Sequence, residues 1–544
     1  MLVIQNLVFF NIIFFIGRGL NIFFELYFTK NKKSEYFGIR KNYFYPLFTF
    51  FILGNLSFIL NFFAPLQNNF LLIIISIFIV FNFKNKVEDL KSDQLLITNL
   101  VIPIILGISS ISVGFHYDAP LYHLNTQNWI INEKIVLGIS NVYLPLGFAS
   151  INEYMLANFW IQNNFIFQHF VNLSFLNTLF SFIYFFIFKS KSIFYRNVGI
   201  FTIFYGFLDN FGINGGRNGF FNIQGIGKVD NNFAVIFFLA SVFLIQLIKK
   251  ENFESSNLFI ISNFVLFSIQ LKVYGYGLSV LYIYYLYLFL RNNKVSILKV
   301  SAVRPSLILG AFWLFKDFLK TSCLIYPVEF TCFKKMVWYS SRTPMLSDET
   351  REFHNALTLN DSIPTWFESF SSKQVDFSIF MNFVISYIFL FFISRLFFNK
   401  TKVDRSLKIL LTLFIFLNLI LFLFTAPTPR FLIGLLVFIV SSNALFIKDY
   451  KVKTNSKFIT YSLSILFLIT TGLIPRISDY QNTMLDPLLA RTLTPKQIEY
   501  TDNTGWGVKP LDGEQCWINL QCTEADSFLQ VSKPWNYMMF SPNE

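Results

Sequence analysis

Residues 95–130 read LLITNLVIPIILGISSISVGFHYDAPLYHLNTQNWI. The first half is an apolar run long enough to cross a bilayer, which takes roughly 20 residues. Just past it stand His116, Asp118 and His123, in a chain with only four histidines and 14% charged residues. Ionisable groups at membrane depth are costly and call for a reason. The stretch predicts a span that ends where an acid and two histidines meet water.

Composition sets the class around it. The 544 residues are 54% hydrophobic and include 74 Phe, more apolar surface than a soluble core hides. The fold class predicted is an all-α polytopic transmembrane bundle. Phe, Asn, Ile and Lys are all heavily used, as an AT-rich coding sequence would produce, so an aromatic stripe is weak evidence for a binding site. Scanning for apolar runs gives about fourteen spans, near 3–27, 44–63, 69–83, 95–113, 165–188, 197–210, 230–248, 257–271, 273–290, 298–315, 376–398, 406–425, 429–447 and 458–474. The first charge is Arg18 and no small-residue cleavage site follows, so the first run is expected to be a retained span.

Orientation follows from the short loops. Every second loop is basic: Lys30 to Lys41, Lys84 to Lys91, Lys189 to Arg196, Lys249 and Lys250, Arg291 to Lys299, Lys400 to Lys408, and Lys448 to Lys457. An even number of spans with both termini outside puts all of these on one side. The formal charge of +13 then reflects topology and attraction to anionic lipid, and no nucleic-acid partner is expected. On this assignment Cys323, Cys332, Cys516 and Cys522 all fall outside, which predicts two local disulfides, Cys323–Cys332 and Cys516–Cys522, in an oxidising compartment.

Three outside segments are long enough to build something. In 114–164 two amphipathic helical patterns flank a Gly/Pro turn and are expected at the interface, with Trp129 and Trp160 at headgroup level. Residues 316–375 read as polar and irregular, and 475–544 as a small tail with short strand-like runs. No phosphate loop, HExxH, GxSxG or dinucleotide fingerprint occurs. The glycine cluster at 212–228 reads either as a flexible outside loop or as one that closes over a substrate.

The remaining candidates are polar residues at outer span ends: Asp118 with His116, Tyr122 and His123, then Asp209, Arg217, Lys228 with Asp230, Lys272, Lys316 with Asp317, and Arg430. An acid with histidines beside several cations suits an anionic, lipid-linked substrate. His116, Asp118 and His123 lie at i, i+2 and i+7 and share no helical face, which argues against a metal set, although a divalent metal is the alternative they allow.

An acid in an outside loop just after a span, followed by two interfacial helices and a many-span bundle, resembles the GT-C superfamily of integral-membrane glycosyltransferases. YDAPLYHL, SCLIYPVEFTCF, PTPRF and GEQCW are similar to segments of a bacterial branch of such proteins. The resemblance runs from about Leu95 onward. It implies N-terminal additional helices in 1–94, a GT-C-like core in 95–474 with outside loops 114–164 and 316–375, and an extracytoplasmic tail in 475–544. It implies transfer of a sugar from a polyprenyl-phosphate donor to a lipid, glycan or protein acceptor at the outer, periplasmic face of a bacterial inner membrane. Asp118 would be the catalytic base, with His116, Tyr122, His123, Arg217, Lys228, Lys272 and Arg430 binding substrate. Many members carry a second acid beside the first, whereas here the next are Glu133 and Glu153. The alternative reading is a transporter, flippase or polymerase of lipid-linked glycans; inverted repeats and broken helices would favour transport.

The topology is checked by cysteine labelling in sealed cells: a cysteine placed at residue 40 or 295 should stay unreactive to an impermeant maleimide until the membrane is opened.

Overall fold

In the computed structural model the described residues are 2–27, 35–67, 70–84, 95–110, 114–148, 150–161, 163–210, 221–354, 356–358, 362–400, 402–450, 456–472, 493–501, 506–523 and 529–542. Every apolar stretch named above is helical over most of its described length. Eight of these helices are long and apolar enough to cross a membrane: Leu2–Phe24, Lys41–Asn61, Ile166–Lys189, Asp230–Lys249, Val273–Asn293, Gln374–Leu396, Arg405–Thr425 and Pro429–Phe446. Four shorter apolar helices join them, Leu71–Val80, Leu96–Ser109, Ser255–Leu271 and Tyr461–Thr471. The protein is a multi-span helical membrane protein.

One core runs from Leu2 to Phe467 and includes the N-terminal helices. Asp230–Lys249 is apolar all round and buried along its length, whereas Gln374–Leu396 turns Ile385, Phe389, Phe392 and Leu396 outward. The abundant asparagines bind helices to one another. Asn55 and Gln270 exchange amide hydrogen bonds of 3.2 and 2.9 Å, and Asn232 donates to Asn152 and Asn172 at 3.1 and 2.9 Å. In apolar surroundings such bonds supply the specificity that hydrophobic contact cannot.

Several expectations are corrected. The helix expected at 298–315 runs from Arg304 to Thr321, so Lys316, Asp317 and Lys320 are helical rather than in a loop. Pro305 sits in its first turn, and the ammonium of Lys316 lies 3.0 Å from Asp317 and 3.0 Å from the Trp313 ring centre, which lets the helix carry the charges inward. The segment 316–375 is not irregular: it contains the helices Thr343–Phe353 and Ile363–Ser372. Trp129 is not an exposed ring free to meet lipid headgroups. It is 3% exposed, stacked near Trp506 and edge-on to Phe540, because the C-terminal tail covers loop 114–164.

That cover is extensive. Leu137 donates to the Met538 carbonyl and accepts from the Phe540 amide, both at 2.9 Å, at the start of the strand Met539–Pro542. Both disulfides, Cys323–Cys332 and Cys516–Cys522, are formed. The second closes a loop whose Trp517 amide donates to the Pro120 carbonyl at 2.7 Å, while the carbonyls of Asn519 and Ile518 accept from Asn125 and Asn128.

Replacing Cys516 and Cys522 by Ser should loosen this clasp by about 2 kcal/mol, the entropy of so short a loop. Limited proteolysis should then cut after Lys509 sooner while the bundle stays intact.

Candidate functional site

The site starts from a backbone stitch. His116 N–H donates to the Ile226 carbonyl at 2.9 Å, and Ile226 N–H returns to the Gly114 carbonyl at 3.1 Å. The approach needs glycine. A Cβ at Gly225 would lie 2.6 Å from the Gly114 oxygen; one at Gly227, whose φ is +87°, would lie 2.4 Å from the Ala119 Cβ. The described part of the glycine cluster is therefore fixed against the Asp118 loop rather than a free loop, and it sets Lys228 beside that loop.

Asp118 stands at the start of a π turn, Ala119–His123, with Pro120 in its first positions. Its carboxylate makes no capping hydrogen bond to that turn. It faces His116, whose Nδ1 lies 3.3 Å from Oδ2 and 3.2 Å from the Asp118 N–H. One nitrogen cannot serve both: protonated it donates to the carboxylate, unprotonated it accepts from the amide. Burial works against the Asp118 carboxylate, but His116, His123 and Arg430 outweigh it and hold its pKa down to about 2.

Behind it lies a second, buried acid. His123 Nδ1 is 2.7 Å from Glu153, and Gln127 donates to the other Glu153 oxygen at 2.8 Å. Burial alone would lower the His123 pKa; Glu153 reverses this and raises it. His123 is thus committed to Glu153. Among the described residues no three His, Cys, Asp or Glu side chains form a metal-binding group.

The cations come from three further elements. Lys272 follows the end of Ser255–Leu271 in extended conformation, and its Nζ lies 2.5 Å from Asp230 at the head of the buried Asp230–Lys249 helix. The same Nζ is 3.4 Å from the Phe431 ring centre. Arg430, in the turn Pro429–Leu432, has its guanidinium carbon 5.1 Å from that ring, and its buried Nε has no hydrogen-bond partner among the described residues. Lys228 is 7% exposed, and among the described residues its ammonium makes no ion pair. Burial and then Arg430 lower its pKa to about 8, against the pull of Asp230 and Asp118.

Asp118, His116, Tyr122, His123, Lys228, Lys272 and Arg430 therefore share one polar centre, and Arg430 is in the field of Asp118, Tyr122, Lys228 and Lys272. Arg217 lies outside the described residues. Asp209 and the Lys316–Asp317 pair stand apart, the former accepting from Asn382 at 3.4 Å. Sequence reasoning named Asp230 beside Lys228 without giving it a role, and left Glu153 and His354 out of the site. His354 Nδ1 is 2.8 Å from the Thr428 hydroxyl, and burial, then Arg430, hold its pKa down to about 4. Three of the four histidines thus border the centre, and their scarcity was the signal available for the third.

Fold and site together define a polytopic helical membrane protein with a cation-rich polar centre under a disulfide-clasped cover. The family described as "Domain of unknown function (DUF8201)" matches residues 1–437, and the chain belongs to it. No curated protein and no solved structure matches the chain.

An anion bound beside Lys228 should feel its titration. Binding of sulfate, whose own charge is constant in this range, to the purified protein should weaken several-fold as pH rises from about 7 to about 9, because the ammonium is protonated only below its pKa. Lys228→Met should bind more weakly and lose that slope in the same calorimetric titration.

Proposed function

We propose that this protein is a membrane glycosyltransferase of the GT-C kind, moving a sugar from a polyprenyl-phosphate carrier to a lipid, glycan or protein acceptor. The observation that carries the reading is the pairing of an ionised, partly exposed carboxylate, Asp118, with two cations, Lys228 and Arg430, that have no carboxylate bound to them among the described residues. Transfer from a glycosyl phosphate needs those two parts: a base for the acceptor proton and positive charge for the departing phosphate.

In this reading the carrier phosphate lies against Lys228 and Arg430, with its chain in the bilayer. The acceptor hydroxyl attacks the anomeric carbon, the bond to the phosphate oxygen breaks, and the proton passes to Asp118. A carboxylate with a pKa of about 2 is a weak base toward a resting alcohol. As the new C–O bond forms, the hydroxyl becomes strongly acidic, and a weak base then suffices. Lys272, neutralised by Asp230, positions Phe431 and through it Arg430. The reading extends to fourteen crossings with both termini outside, the centre facing the periplasm of a bacterial inner membrane.

Asp118→Asn keeps size and most hydrogen bonding and removes the basicity. With labelled polyprenyl-phosphate sugars, its turnover should fall by about 10² or more while binding of the carrier phosphate is retained. Turnover within a few-fold of the parent in a folded Asp118→Asn protein would end this reading and favour transport of the lipid-linked glycan.

A further inference from the structure

We infer that the cleft at the opposite, basic end of the bundle is a binding site for the phosphate headgroup of an anionic phospholipid. The cleft has a volume of about 560 Å³, within the range of pockets that hold small ligands. It opens where the helices Asp230–Lys249 and Ser279–Asn293 end and Arg405–Thr425 begins. Lys249, Arg291, Lys294 and Lys402 converge on it from three separate segments. Two carboxylates, Glu251 and Asp404, stand among them, so four cations against two acids leave the cleft positive.

Its walls distinguish a lipid from a soluble phosphate. Ile248, Leu288 and Leu407 line the cleft beside the cations, so one surface offers charge to a phosphate and apolar contact to the first carbons of an acyl chain. Arginine and lysine recognise phosphate through charge-assisted hydrogen bonds, and basic pockets between helix ends are where anionic headgroups lodge.

Two simpler causes account for part of the charge. Loops of one membrane face collect Lys and Arg, and cations in the last turn of a helix, as Lys249 and Arg291 are, gain from its dipole. Neither requires the charges to meet. Lys250 and Lys299 satisfy the same loop bias without lining the cleft, while Lys294 and Lys402 line it from beyond the two helices that end there. The convergence is what a ligand explains, and it holds whatever chemistry occurs at the outer end.

Native mass spectrometry of the full chain in detergent tests this, with phosphatidylglycerol and phosphatidylcholine supplied in equal amounts. The parent should retain phosphatidylglycerol in preference, and Arg291→Gln with Lys294→Gln should cut that retention by about tenfold. Lys250→Gln with Lys299→Gln removes the same charge from the same face and should leave retention unchanged. Equal losses in the two double variants would overturn the proposal in favour of diffuse face charge. Inorganic pyrophosphate is the soluble arm: if it binds the parent in the cleft and phosphatidylglycerol does not, the lipid is the wrong source and the proposal fails. Should the first double variant fold poorly, Lys249→Gln, at an exposed position, should still lower retention, and no loss in it would count against the site.

Discussion

Two backbone hydrogen bonds, between Gly114–His116 and Ile226, hold one end of this helical bundle in register. Each contributes about 1 kcal/mol, so their weight is geometric rather than energetic. They tie the segment that follows the Leu96–Ser109 helix to the residues just before the Asp230–Lys249 helix. Because the Asp230–Lys249 helix begins four residues after Ile226, the stitch also fixes where that helix starts and hence where Asp230 meets Lys272. On the opposite edge of the same strip, Pro120 receives the Trp517 amide and the Tyr117 carbonyl receives Gln515. The C-terminal cover thus hangs on the segment that carries Asp118.

A low-dielectric bundle end tolerates many charges only if most are neutralised locally. Lys272 meets this condition with Asp230 and the face of Phe431, and His123 meets it with Glu153. Breaking either pair would leave a buried charge uncompensated, which costs more than the pair itself contributes. These residues build the site; they have little charge left over for a ligand.

Sequence reading reached the helices and the disulfides because apolar length and cysteine placement are local properties. It reached the clustering of Asp118, Lys228, Lys272 and Arg430 because ionisable residues at membrane depth are rare enough to count. It missed the extension of one helix to Thr321, since Lys316 and Asp317 look like loop residues until Trp313 is placed beneath the ammonium. It misplaced Trp129, since an amphipathic loop gives no sign that a tail some four hundred residues later will cover it. Asparagine was noted only as heavily used, yet Asn55, Asn152, Asn172 and Asn232 each bridge helices. Glu153 and His354 are ordinary polar residues in sequence; only tertiary packing gives them His123 and Thr428 as partners.

The charges that are not neutralised are therefore the informative ones. Arg430 and Lys228 converge from two distant turns, one with a buried Nε lacking a hydrogen-bond partner and the other an ammonium in no direct ion pair, both among the described residues, with Asp118, Asp230 and Asp376 acting on them only through their fields. Their mutual repulsion contributes to the lowered Lys228 pKa, and Asp118 and Asp230 offset it only in part. An arrangement that keeps two cations together against repulsion is stabilised when an anion enters between them, for that anion relieves the repulsion and the desolvation at once. Asp118 stands at the same place with its charge held on by His116, so an entering anion meets a carboxylate as well as cations. Such a centre disfavours an anion that fills it completely and favours one whose charge stays with the cations while an uncharged group attached to it reaches the acid.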